Sequence, residues 1–164
     1  MLFTQIAMFT YVTFHLAAPP FLLSTAALGW LFAVYLAGAV VTPISGRWIH
    51  AYGHRAALAI AMALGVGGSI LTLGHTLADV VAGLALVSSG VFIAQAAANG
   101  YIGIAARSDR GLAVGMYATC YYIGGSVGGA LPALFWTTGG WPACVALVIV
   151  VQVATAALGW TFWQ

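Results

Sequence analysis

Ser45-Gly46-Arg47-Trp48-Ile49-His50-Ala51-Tyr52-Gly53-His54-Arg55 is the stretch that decides the fold, because it sets two cations between long apolar runs. A second polar break, Arg107-Ser108-Asp109-Arg110, holds three more charges, and Asp79 is the only other charge in the 164 residues. The chain has no Lys and no Glu. A water-soluble domain devotes roughly a quarter of its residues to charge, whereas here 4% are charged and 63% are hydrophobic. The solvent for which this chain is built is a lipid bilayer.

Outward from those two breaks the chain divides into membrane-length pieces. A hydrocarbon layer about 30 Å thick takes roughly 20 helical residues at 1.5 Å each, and the sequence supplies six apolar runs of that order. The expected spans are residues 2–23, 28–45, 56–74, 79–105, 112–136 and 143–163. Between them lie Ser24-Thr25, residues 46–55, Gly74-His75-Thr76, residues 106–111 and residues 137–142, all rich in turn formers. The runs exceed the length of a barrel strand and do not alternate polar with apolar, so an all-α membrane protein is expected, a single bundle of six transmembrane helices.

Short loops that carry Arg stay in the cytoplasm. Arg47 and Arg55 lie in the second loop and Arg107 and Arg110 in the fourth, so both fall on one face. That arrangement puts both termini in the cytoplasm and the other three loops outside. Four Arg in two separate loops are too sparse for a nucleic-acid footprint. The first run is expected to be retained, since no basic residue precedes it and it is longer than the apolar core of a leader peptide. Cys120 and Cys144 lie within spans without metal-ligand spacing and read as packing residues. No metal or cofactor is implied.

Polar side chains within the spans are few. Tyr11 and His15, Gln95 and Asn99, and Tyr117 and Tyr121 are pairs four residues apart, so each pair shares one helical face. Lipid cannot satisfy their hydrogen bonds, so three helices are expected to direct a polar stripe at a cavity. For each pair the alternative is a hydrogen bond between helices with no ligand, and that structural reading is favoured for the lone His15. Spans three and six look like supports, with Ser69 and Gln152 as mild exceptions. In span five, Gly124, Gly125, Gly128 and Gly129 form two overlapping small-xxx-small rows for close helix packing. Bulk at Gly125 or Gly128 is expected to disturb assembly more than bulk at Gly65.

Two strings resemble a known family. The stretch from Gly46 to Arg55 is similar to the loop motif Gly-x-x-x-Asp-Arg-x-Gly-Arg-Arg of the major facilitator superfamily. Gly46, Gly53 and Arg55 are in register, with His50 at the acidic position, Ala51 at the first Arg and His54 at the Arg after the second Gly. Residues 117–132, Tyr-Ala-Thr-Cys-Tyr-Tyr-Ile-Gly-Gly-Ser-Val-Gly-Gly-Ala-Leu-Pro, followed by Gly139-Gly140-Trp141, resemble the eleventh helix and following loop of that superfamily's bacterial efflux permeases, particularly the arabinose, purine-nucleoside and multidrug exporters. Pro19-Pro20 and Leu28-Gly29-Trp30 resemble their seventh and eighth helices.

The resemblance covers the whole chain and matches the second half of a twelve-helix protein. It implies two inverted three-helix repeats in a bacterial inner membrane. The activity it implies is proton-coupled efflux of a small organic solute by alternating access. It also implies a second six-helix half, whether upstream in the same protein, on a separate chain or in a second copy. The alternative is a fragment or structural subunit that does not transport. A Gly-x-Ser-x-Gly string at residues 124–128 invites comparison with a serine hydrolase, but no His follows His75 to act as its base. No enzyme activity is expected.

Overall fold

The computed structural model describes residues 1–106 and 109–163, except for the side chains of residues 37, 44, 45, 47, 48 and 50. All regular structure among them is helical: α1 (Leu2–Ala17), α2 (Thr25–Leu31), a short 3₁₀ turn (Phe32–Val34), α3 (Tyr35–Leu71), α4 (Leu77–Ala105), α5 (Arg110–Ala130) and α6 (Pro132–Phe162). Among the described residues, four segments are long and apolar enough to cross a membrane, Thr25–Pro43, Ala51–Leu71, Leu77–Ala105 and Pro132–Phe162. The protein is accordingly read as an integral membrane protein. The 16-residue α1 is apolar but shorter than those four. In α5, glycine, tyrosine, serine and threonine dilute the hydropathy.

Several expected boundaries move, each for a physical reason. Helix α1 stops at Ala17 rather than running to residue 23, because proline at positions 19 and 20 removes two backbone donors and disfavours helical φ/ψ just before it. Ser24 then opens α2 by accepting a hydrogen bond from the Ala27 N–H at 3.3 Å. The polar stretch of residues 46–55 is helix on both sides of a single break at Gly53, where φ is 82° and ψ is 165°. Polar side chains do not by themselves end a helix, whose backbone hydrogen bonds are internal. Residues 137–142 behave alike. Helix α6 is interrupted only at Gly140, with φ 60° and ψ −148°.

The α3–α4 hairpin is closely packed backbone to backbone. A Cβ on Gly68 would lie 2.6 Å from the Gly83 carbonyl oxygen, and one on Gly83 would lie 2.6 Å from the Gly68 carbonyl oxygen. Farther along, a Cβ on Gly90 would meet the Ala61 carbonyl oxygen at 2.5 Å. Small residues of this kind let backbones approach where lipid offers no hydrophobic drive for association. Asp79 begins α4 as half of a capping box: its N–H donates to Thr76 Oγ1 at 3.1 Å and its Oδ2 accepts from the Thr76 N–H at 3.3 Å.

A core of Met8, Phe9, Val12 and Leu16 from α1, Leu84 and Val87 from α4, and Val145 and Val148 from α6 binds those three helices together. Trp141 closes it, donating its indole N–H to the Thr72 carbonyl at 3.0 Å. Ser69 and Gln152, the mild polar exceptions on the expected supporting helices, are both buried and face each other across α3 and α6. Large apolar side chains such as Trp30, Leu36, Ile104 and Leu134 are exposed on the outside, as a lipid-facing surface requires.

Candidate functional site

Helices α4 and α5 bring three of the expected cavity residues together. The Tyr121 hydroxyl donates to Gln95 Oε1 at 3.0 Å, and the Tyr117 ring stands 5.9 Å from that of Tyr121. Tyr122 continues the aromatic row, edge-on to Tyr121 at 5.7 Å. The Tyr117 hydroxyl is buried and has no hydrogen-bond partner among the described residues. Asn99, one helical turn beyond Gln95, is exposed. This wall contains hydrogen-bonding groups and aromatic faces but no charge.

The α1 pair stands apart. Tyr11 is buried and donates its hydroxyl to the Gly129 carbonyl at 2.9 Å, which fastens α1 to α5. His15 stacks on Trp141 with ring centroids 5.4 Å apart and an interplanar angle of 9°, and meets Phe21 edge-on. Tyr11 thus makes a hydrogen bond between helices, and His15 packs against two aromatic rings. A helical stripe fixes which face two residues share, but it leaves open what that face meets. Near the start of α1, Gln5 donates to Ser88 of α4 at 2.9 Å, and Phe9 packs on Tyr35 with centroids 4.3 Å apart.

The four glycines of α5 are unequal. Gly128 lies against the backbone of α1, where an added Cβ would sit 2.5 Å from the Phe3 carbonyl oxygen. Gly125 lies against the Leu2 side chain at 2.5 Å, Gly129 has only Ile6 nearby at 3.6 Å, and Gly124 has nothing within 4 Å. The close contacts with α1 therefore come from Gly125 and Gly128, one from each expected row, while Gly124 is open and Gly129 makes only an ordinary contact. Gly65 is no open reference either, since a Cβ there would lie 3.1 Å from the Gln152 amide nitrogen. Ser126 is exposed and donates to the Tyr122 carbonyl at 3.2 Å along its own helix.

Of the loop-motif residues, Gly46 is exposed with nothing within 4 Å of a Cβ, and Gly53 takes the positive φ that only glycine adopts at no cost. The His50 side chain lies outside the described residues, as does Arg107. Arg55 donates to the Trp160 carbonyl at 3.2 Å and stands 5.8 Å from the Trp160 ring. Arg110 donates to the Gly103 carbonyl at 2.6 Å. Each guanidinium thereby sits at the C-terminal end of a helix, where unpaired carbonyls favour a cation. Sequence reasoning missed a cluster beside them, in which Tyr101 donates to the Phe162 carbonyl at 3.2 Å and stacks on Trp163 at 5.2 Å.

No family model matches the chain, and no solved structure matches it. It is similar to the "Uncharacterized MFS-type transporter YybF" of Bacillus subtilis, 29% identical over 145 residues, which is 88% of this chain and 36% of that protein. An "Uncharacterized transporter" of Buchnera aphidicola subsp. Schizaphis graminum is 30% identical over 148 residues, covering 90% of this chain and 36% of its own length. The "Inner membrane transport protein YnfM" of Escherichia coli is 30% identical over 154 residues, 94% of this chain and 37% of that protein. The chain spans about a third of the length of the curated relatives it matches.

Proposed function

We propose that this chain is a six-helix half of a secondary transporter of the major facilitator type, which exports a small organic solute by alternating access. The observation that carries the reading is the similarity, over nearly the whole chain, to proteins named as transporters. Internal symmetry supports it. Gly53 and Gly140 each break the helical run between the second and third spans of their three-helix repeat, and both have positive φ. The hydrogen bonds Gln5 to Ser88 and Gln152 to Ser69 each join positions 83 residues apart, as equivalent sites of two repeats do. In this reading the six spans form two inverted repeats, with both termini and both Arg loops in the cytoplasm of a bacterial inner membrane.

Gln95, Asn99, Tyr117 and Tyr121 form one wall of the solute path, completed by a second six-helix half. Their neutral hydrogen-bonding and aromatic groups suit a neutral or amphiphilic solute. Asp79 is committed to the cap of α4, so a proton-coupling carboxylate belongs to the other half. Export of a panel of neutral aromatic compounds from cells carrying the native polypeptide tests this. Tyr117→Ala and Asn99→Ala are expected to reduce export several-fold at unchanged membrane abundance. Normal export by both variants overturns the wall assignment.

A further inference from the structure

The buried amide of Gln152 has a half-used hydrogen-bonding capacity. The residue is 3% exposed, its Nε2 donates to Ser69 Oγ at a long 3.4 Å, and its Oε1 has no partner among the described residues. An acceptor stranded in this way costs free energy unless something donates to it. Gln152 borders a small cavity of about 10 Å³ between α1, α3, α4 and α6, lined also by Thr4, Gly65, Gly90 and Thr155. Gly65 leaves room beside the amide, since a Cβ there would come within 3.3 Å of Gln152 Oε1.

We infer that this cavity is a binding site for one structural water molecule, held by Gln152, Thr155 and Thr4. The volume is close to the least that admits a single water, about 10–15 Å³, and leaves no room for a second. The donors and acceptors balance. Thr155 gives its own hydroxyl proton to the Val151 carbonyl at 2.8 Å, which leaves its oxygen free to accept. The water donates one hydrogen to Gln152 Oε1 and the other to Thr155 Oγ1, and accepts from the hydroxyl of Thr4, a residue 2% exposed. Three hydrogen bonds are what a buried water ordinarily makes. A sodium ion is the wrong occupant, since no carboxylate lines the cavity to offset its charge.

This inference stands apart from the transport reading, because it concerns the seam joining α1 and α6 and would hold in a protein that transports nothing. A high-resolution experimental structure of the native polypeptide, determined in sodium buffer and again in sodium-free buffer, tests it. The expected result is one density peak about 2.7–3.2 Å from Gln152 Oε1 in both buffers. Xenon pressure is expected to leave the wild-type cavity unchanged, and Thr155→Val is expected to remove the water peak while Thr155→Ser keeps it. An empty cavity, xenon in the wild type, a side chain from elsewhere in the polypeptide, or a peak lost without sodium would each overturn the assignment.

Discussion

Gly128→Ala puts the smallest possible side chain at the closest approach between α1 and α5. The new Cβ would lie 2.5 Å from the Phe3 carbonyl oxygen and 2.7 Å from Phe3 Cα, both backbone atoms that cannot rotate away. An ordinary C–H···O approach is about 3.3–3.6 Å, so α1 has to withdraw by ~1 Å. A gap of that size forfeits a quarter to a half of each dispersion contact along the seam, and a few dozen contacts of 0.1–0.2 kcal/mol then amount to about 2 kcal/mol. That figure lies inside the ~1–3 kcal/mol range for overpacked sites and corresponds to roughly 30-fold in the folded fraction. Gly124→Ala is the control, because it meets nothing within 4 Å and gains helix propensity. Thermal unfolding of both variants in mild detergent is the assay. Gly128→Ala is expected to melt several degrees below the parent and Gly124→Ala at or above it. Equal melting of the two variants would refute the account of this seam.

Gly53→Ala forces a Cβ into a backbone region that is essentially reserved for glycine. It is expected to cost about 1–3 kcal/mol, while Gly46→Ala, in open helical surroundings, stays near neutral in the same melting assay. In a variant lacking Cys120 and Cys144, Thr76→Cys is expected to react with an impermeant maleimide added to intact cells and Gly111→Cys is not. The reverse pattern would overturn the proposed orientation.

Charge and hydropathy made the membrane class legible, because six charges in 164 residues leave no other solvent. Helix ends were less legible. Residues 46–55 are polar enough to read as a loop, yet polar side chains do not by themselves end a helix, and only the positive φ at Gly53 breaks it. Pro19-Pro20 did carry a stop signal, but the apolar run continuing past it to Leu23 obscured the end of α1 at Ala17. Packing partners were least legible. The row of α5 glycines is periodic within one helix and therefore visible, whereas the reciprocal contact of Gly68 with Gly83 joins two helices and leaves no pattern in either. Gln95 and Tyr121 meet through one hydrogen bond between α4 and α5. Tyr11 and His15, spaced four apart like Gln95 and Asn99, meet a backbone carbonyl and a tryptophan ring instead.

If the chain is half of a larger helical bundle, the mass of the native assembly shows it. The 164 residues account for 16.9 kDa, and the relatives extend to nearly three times the matched length. Native mass spectrometry of the assembly released from its own membrane in mild detergent, followed by denaturing mass measurement, reads both the complex and its polypeptides. The expected result is a second six-helix half, either within one longer polypeptide or as a stably bound second chain. A monodisperse 16.9 kDa monomer that is active in its membrane would contradict the account.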